Sequence, residues 1–325
     1  CMSEIKLYGL GASRPQAQAI ATALGIALSA HEEREFDDGE HKARPLESVR
    51  GADIYVVHSL YADAGQSVND KLCRLLFFLA AMRDGGAARL TAITPYLCYA
   101  RKDRRSKPHD PVTTRYVAQL FEAVGVNGVL ALDVHNPAAF ENAFRCGAEQ
   151  LEAQPLFASR LAAVLRGRDV TVLSPDNGGL KRADAFRRAL TDKLERPATL
   201  GQMEKWRSAG VVSGEALFAE VAGRSVVIVD DLIGTGTTLL RAARAAREAG
   251  AQAVYAVASH GLFVGTAARE LADPVLDRIL ITDSVPPFRL AGSAAADRVE
   301  VLASAPLFAQ AIRRHHAGSI SASAI

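Results

Sequence analysis

Apolar residues fall in short runs rich in Val and Ile, each followed by a longer stretch with helical spacing. The run at 54–57 precedes 68–83, that at 90–94 precedes 112–124, and that at 129–134 precedes 138–144. After a polar pause between Gly147 and Pro155 the rhythm resumes, with 170–173 before 180–190, 225–229 before 238–249 and 253–258 before 266–271, and a last run at 279–282. Such alternation predicts parallel strands joined by helical crossovers, an α/β fold. The pause divides the chain into expected domains 1–150 and 151–325. Asp110-Pro111 and Asn136-Pro137 each pair a capping side chain with a proline suited to the first helical turn, and Gly125 and Gly250 close helices.

One segment has neither period. Residues 191–210 mix charges with Pro197, Gly201 and Trp206, and read as a mobile loop. A structureless stretch of that length in a compact domain is usually a lid or disordered.

Composition narrows the function classes. Lys plus Arg number 38 against 36 Asp plus Glu, a net charge of +2 that supplies no global field for nucleic acid or an anionic membrane. Neither a helix-turn-helix nor a basic stripe is evident. The longest apolar runs, such as 75–82, fall far short of the roughly 20 residues of a membrane span. Four cysteines, widely spaced and without a C-x-x-C pair, suit a reducing cytoplasm. Selectivity for anions must then be local.

The strongest local chemistry lies at 225–238, S-V-V-I-V-D-D-L-I-G-T-G-T-T, followed by an Ala/Arg/Leu helix. Strand, tight turn and helix make a phosphate cradle. Gly234 and Gly236 let the backbone approach an anion, the N–H groups of Thr235 to Thr238 point toward it, and the threonine hydroxyls add donors. A sugar 5-phosphate fits there, and Asp230 and Asp231 offer acceptors for ribose hydroxyls or a bound metal. The plainer alternative is carboxylates that cap a helix and glycines that turn the chain. The segment resembles the ribose 5-phosphate loop of the type I phosphoribosyltransferase fold.

Further segments resemble one family with that fold, the ribose-phosphate diphosphokinases. Phe36-Asp37-Asp38-Gly39-Glu40, with E-S-V-R-G-A-D-I-Y at 47–55 behind it, is similar to the family's F-x-D-G-E segment and its continuation. P-Y-L-C-Y-A-R-K-D-R-R at 95–105 is similar to P-Y-x-x-Y-A-R-Q-D-R, and its cationic groups after a strand suit a polyphosphate. L-D-V-H at 132–135 and S-P-D-N-G-G at 174–179 resemble two metal-associated strand ends. Glu204-Lys205-Trp206-Arg207 lies where the family carries a Lys-x-Arg pair on a flexible flap. Without the resemblance, an acidic turn, a solvated basic loop, a structural histidine and a solvated charge pair would be the ordinary readings.

The resemblance runs from about residue 5 to about residue 306. It implies two similar phosphoribosyltransferase-like domains, each a mainly parallel sheet flanked by helices, and transfer of the diphosphoryl group of Mg-ATP to the C1 hydroxyl of ribose 5-phosphate, giving phosphoribosyl diphosphate and AMP. By matched position it implies ATP binding by Asp38, Gly39, Glu40, Arg101, Lys102 and His135, and Mg²⁺ binding by His135 and Asp176. It further implies catalysis by Lys205, and ribose 5-phosphate binding by Arg207, Asp230, Gly234, Thr235, Gly236, Thr237 and Thr238. A homo-oligomer is implied too, because the F-x-D-G-E segment serves a neighbouring subunit's ATP site.

The chain also departs from the family pattern. Gly234 stands at a third acidic position of the sugar loop and Thr237 at a glycine, while Lys102 replaces a glutamine and Asn177 a histidine. A β-branched Thr237 is strained if the turn needs φ > 0 there. A phosphoribosyltransferase or a non-catalytic regulatory subunit would share the sugar loop. The former lacks the paired nucleotide motifs, and the latter tolerates loss of Lys205, His135 or Asp176, all of which are present.

Overall fold

The computed structural model describes residues 3–208 and 211–318, leaving the side chains of 205–208 and 211–215 outside the description. In chain order it contains β1 (Ile5–Gly9), α1 (Arg14–Leu24), β2 (His31–Glu35), β3 (His41–Pro45), β4 (Asp53–Val57), α2 (Val68–Asp84), β5 (Arg89–Thr94), α3 (Thr113–Ala123), β6 (Gly128–Leu132), α4 (Pro137–Ala143) and β7 (Gly147–Leu151). There follow α5 (Gln154–Leu165), β8 (Val170–Ser174), α6 (Leu180–Leu194), β9 (Thr199–Ser208), β10 (Val211–Phe218), β11 (Ser225–Ile233), α7 (Thr237–Glu248), β12 (Ala253–Gly261), α8 (Ala267–Glu270), β13 (Arg278–Thr282), β14 (Val299–Leu302) and α9 (Ala305–His316). The chain separates into two compact units, 1–151 with 304–325, and 152–303. The return of α9 to the first unit is a departure from assigning everything after 150 to the second. Its apolar face, with Phe308 and Ile312 buried, packs with α1, and Arg314 and His315 pair with Glu149.

In the first unit β1-β4-β5-β6-β7 form a wholly parallel sheet. Every residue of β4 and β6 is buried, the mark of strands covered on both faces by crossover helices. Tyr8, Phe78, Phe121 and Phe140 anchor its core. In the second unit the order is β10-β9-β8-β11-β12-β13-β14, parallel except for the β9/β10 pair. Leu173, Ile228, Val254, Phe263 and Leu271 belong to its core.

Two expectations need correction. The described part of 191–210, residues 191–208, is not a single loop: α6 continues to Leu194, Glu195 closes it with a left-handed φ of 56°, and β9 pairs in parallel with β8 and antiparallel with β10, while residues 209 and 210 lie outside the described residues. The strand escapes a periodicity reading because both its edges are satisfied by tertiary pairing. Gly201 is also required by contact, since a β-carbon there would lie 2.2 Å from that of Ala219. Second, Asp110 does not cap the next helix, which begins at Thr113. Its carboxylate instead accepts from the Ser106 and Lys107 N–H groups and pairs with Lys102. The condition for strain at Thr237 is not met, because the left-handed residue of the turn is Gly236, at φ 82°. By contrast Asn136 caps α4 as expected, its side chain accepting from the Ala139 N–H at 3.2 Å, an interaction worth about 1 kcal/mol.

Candidate active site

Parallel sheets present ligands at the carboxyl ends of their strands, and Arg101, Lys102, His135, Asp176, Asp230 and the turn before α7 follow or end such strands. In the second unit β8 pairs with β11 through Ile228, whereas β11 runs on beside β12 to Ile233. That extension carries Asp230 and Asp231. The turn into α7 is braced from the next strand's loop, where the Val264 and Phe263 N–H groups donate to the carbonyls of Gly234 and Ile233, each at 3.0 Å. A β-carbon on Gly236 would meet Leu271 at 2.8 Å, so both packing and φ demand glycine there. No side chain caps α7, and the opening N–H groups of a helix have no partner within it. With the Thr235 and Thr237 hydroxyls 3.0 Å apart at its mouth, the turn presents donors suited to a phosphate.

The acid pair beside this turn is electrostatically tense. The Asp231 N–H donates to Asp230 Oδ1 at 2.8 Å. Burial, reinforced by the Asp231 carboxylate, pushes Asp230 up to about 8. Arg182, from the first turn of α6, opposes that rise, with Nη1 at 3.5 Å from Asp231 Oδ1 and 3.7 Å from Asp230 Oδ1. Sequence reasoning passed over Arg182. The available signal was a cationic Lys181-Arg182 pair at a helix N-terminus, where acids are favoured.

Asp176 follows β8, exposed, at the head of a short turn whose Gly179 N–H donates to its Oδ1 at 3.0 Å. Lys205 and Arg207 lie on β9, opposite Glu215 and Val212 of β10, and their side chains fall outside the description.

In the first unit the ends of β5 and β6 bring two motifs together. Asn136 donates to Asp103 at 2.6 Å, tying the Arg101-Lys102-Asp103 loop to the segment that carries the exposed His135. Lys102 is held at 2.7 Å by Asp110, which leaves Arg101, fully on the surface, as the more available phosphate fork. Three of the five described non-glycine residues with left-handed φ, Tyr99, His109 and Asp133, belong to these two segments, and such strain clusters at functional sites.

Asp38, Gly39 and Glu40 form the tip of the β2/β3 hairpin, a two-stranded sheet hydrogen-bonded to neither larger sheet. Gly39 turns at φ 88° and the Glu40 N–H donates to Asp38 Oδ1 at 3.0 Å. An Arg74–Glu35 pair holds the hairpin to α2, and Glu33 accepts from the Gly11 N–H at 2.8 Å. Although burial opposes it, hydrogen bonds from His31 and Gly11 bring Glu33 down to about 2.

Asp176 offers carboxylate oxygens and His135 an imidazole nitrogen to a metal ion such as Mg²⁺. Among the described residues no three His, Cys, Asp or Glu side chains converge to hold a metal. Mg²⁺ keeps several waters and is commonly bound through one or two carboxylates plus substrate phosphates. A lone exposed carboxylate at a strand end fits that mode of binding.

Comparison with known proteins decides between the families that share such a sugar turn. Residues 5–125 match the family model described as the N-terminal domain of ribose phosphate pyrophosphokinase, and residues 210–323 that of the phosphoribosyl synthetase-associated domain. The chain is 36% identical to a putative ribose-phosphate pyrophosphokinase 2 of Streptococcus pyogenes, over 96% of this chain and 92% of that protein. The chain belongs to the ribose-phosphate pyrophosphokinase family. Another relative, a ribose-phosphate pyrophosphokinase of Caldanaerobacter subterraneus, is 37% identical over 97% of this chain and 96% of its own length. The family's fold is seen in the crystal structure of phosphoribosylpyrophosphate synthetase from Mycobacterium smegmatis, which matches with a TM-score of 0.87 at 29% identity, covering 98% of this chain and all of that one. The expected two-domain α/β architecture is therefore the family's own.

Proposed function

We propose that the protein transfers the diphosphoryl group of Mg-ATP to the C1 hydroxyl of ribose 5-phosphate, releasing AMP. The observation that carries this reading is the turn after β11, where a carboxylate pair and a glycine-threonine anion cradle stand side by side at one strand end. A sugar bearing both hydroxyls and a phosphate is complementary to that pair of features. Thr235 to Thr238 with Gly234 and Gly236 hold the 5-phosphate, and Asp230 accepts from the ribose hydroxyls.

Asp38, Gly39, Glu40, Arg101, Lys102 and His135 bind the nucleotide. Bound Mg²⁺ would neutralise charge on the polyphosphate, with Asp176 and His135 as its protein ligands. Lys205 and Arg207 supply positive charge where negative charge accumulates on phosphoryl oxygens during displacement, Lys205 at the reacting phosphoryl group and Arg207 toward ribose 5-phosphate. The separate hairpin sheet that presents Asp38 to Glu40 supports a homo-oligomer in which that segment serves a neighbouring subunit.

No described helix is long and apolar enough to cross a membrane, and Cys73, Cys98 and Cys146 are free thiols, which supports a reducing cytoplasm as the setting. Incubation with Mg-ATP and ribose 5-phosphate, followed by AMP release, tests the reading. AMP must appear only when ribose 5-phosphate is present; release at the same rate without it would refute transfer to the sugar.

A further inference from the structure

The first turn of α6 contains Lys181 and Arg182 and no acidic residue. Helix N-termini carry partial positive charge, so a cation there is unfavourable. Lys181 is exposed to water, whereas the Arg182 side chain is only 22% exposed. Its guanidinium lies within 4 Å of both Asp230 and Asp231, and 4.0 Å from the place a β-carbon would take on Gly179. It therefore stands at the junction of the Asp176 turn and the extension of β11.

That location answers an electrostatic problem in the second unit. Two adjacent carboxylates precede a turn built to receive a phosphate, and a sugar phosphate brings further negative charge to the same strand end. Left alone, the pair would repel the ligand or take up a proton, and a protonated carboxyl loses an acceptor. One guanidinium within 4 Å of both acids offsets negative charge there and opposes proton uptake, which keeps acceptor oxygens available.

Building on the proposed reaction, we infer that Arg182 is a positioning residue for ribose 5-phosphate, holding the Asp230 and Asp231 carboxyl groups in place as acceptors for the sugar hydroxyls and offsetting negative charge beside the phosphate cradle. It acts through the two carboxylates and takes no part in the transfer step. The consequence is selective, because ATP does not depend on this acid pair.

The test uses full-length Arg182→Gln and Arg182→Lys with steady-state AMP release. The glutamine variant should raise KM for ribose 5-phosphate roughly tenfold, the size expected when a charge-assisted contact is lost, with KM for ATP within about twofold of wild type. Lysine should restore most of the difference, because it keeps the charge. Circular dichroism and calorimetric ATP binding establish that each variant is folded. An unchanged ribose 5-phosphate KM in the glutamine variant overturns the inference, as does equal weakening of both ligands or a lysine variant no better than glutamine. If the wild type released no AMP, the reaction assignment would fall separately. Calorimetric titration of ribose 5-phosphate would then still decide the role of Arg182: weaker binding to the glutamine variant supports it, and equal binding overturns it.

Discussion

The turn between β11 and α7 and the tip of the β2/β3 hairpin both present glycine and acidic residues, yet they are held in different ways. The turn grows from a strand whose first five residues are buried, is braced by two backbone hydrogen bonds from the loop after β12, and is fixed by a glycine that no other residue could replace without meeting Leu271. The hairpin has only intermediate and exposed residues in its strands, pairs only with itself, and is tied down through side chains such as Arg74 and Glu35. A β-carbon on its Gly39 would meet nothing within 4 Å. The core of its own domain thus shapes the turn after β11, whereas the hairpin leans on the core only through side chains, Ala43 and the His31 ring beside Tyr8 and Phe78, together with its polar contacts. The first is preorganised and the second is adaptable, as suits a segment proposed to serve another subunit.

Substitution at the two glycines or their supports should expose this difference. Gly236→Val combines a left-handed φ with a contact that a β-carbon cannot make, a strain of about 1–3 kcal/mol. Ribose 5-phosphate affinity should fall on the order of tenfold to a hundredfold by calorimetric titration. Affinity within twofold of wild type would show that the cradle tolerates rearrangement and that its apparent rigidity is unimportant.

Asp230→Asn should weaken ribose 5-phosphate about tenfold while leaving ATP nearly unaffected, because one carboxyl oxygen that can accept from a sugar hydroxyl is replaced by an amide donor. The same change carries a stability signature. With its folded pKa raised to about 8, Asp230 binds more protons folded than unfolded between pH 4 and pH 8, so its contribution to stability declines as pH rises through that window. The asparagine variant should therefore gain thermal stability relative to wild type at pH 8 compared with pH 5. A constant difference in melting temperature across that range would contradict the tense acid pair.

The smallest effect is expected at the hairpin. Arg74→Ala removes a pair whose Glu35 member is 60% exposed, a contribution of at most about 1 kcal/mol. KM for ATP should rise no more than about fivefold, with ribose 5-phosphate unchanged. A larger loss for the sugar than for the nucleotide would place the hairpin in the wrong half of the reaction.

Legibility followed the same division. The buried parallel strands at 54–57, 129–134, 170–173 and 225–229 were visible because covering both faces of a sheet requires continuous apolar runs. The Asn136 cap and the glycines at 125 and 250 were visible because their chemistry is local. The hairpin strands H-E-E-R-E and H-K-A-R-P, and the edge strand G-A-E-Q-L, carry no apolar alternation, so nothing local marked them. Strand β9 was hidden behind Gly201 and its charges, and the segment 191–210 looked structureless until β8 and β10 paired with it. Arg182 left only a weak trace, a cation at the wrong end of a helix.

The sequence alone determined the alternating strand-helix α/β pattern, the glycine-threonine turn and the order of the motifs, because these depend on side-chain periodicity and on backbone freedom over a few neighbouring residues. Tertiary structure decided which glycine of the turn takes the left-handed conformation, the release of Asp110 from helix capping, the return of α9 to the first unit, and the meeting of Arg182 with Asp230 and Asp231. Each of these outcomes depends on groups distant in sequence competing for the same space or charge, and that competition has no local signature.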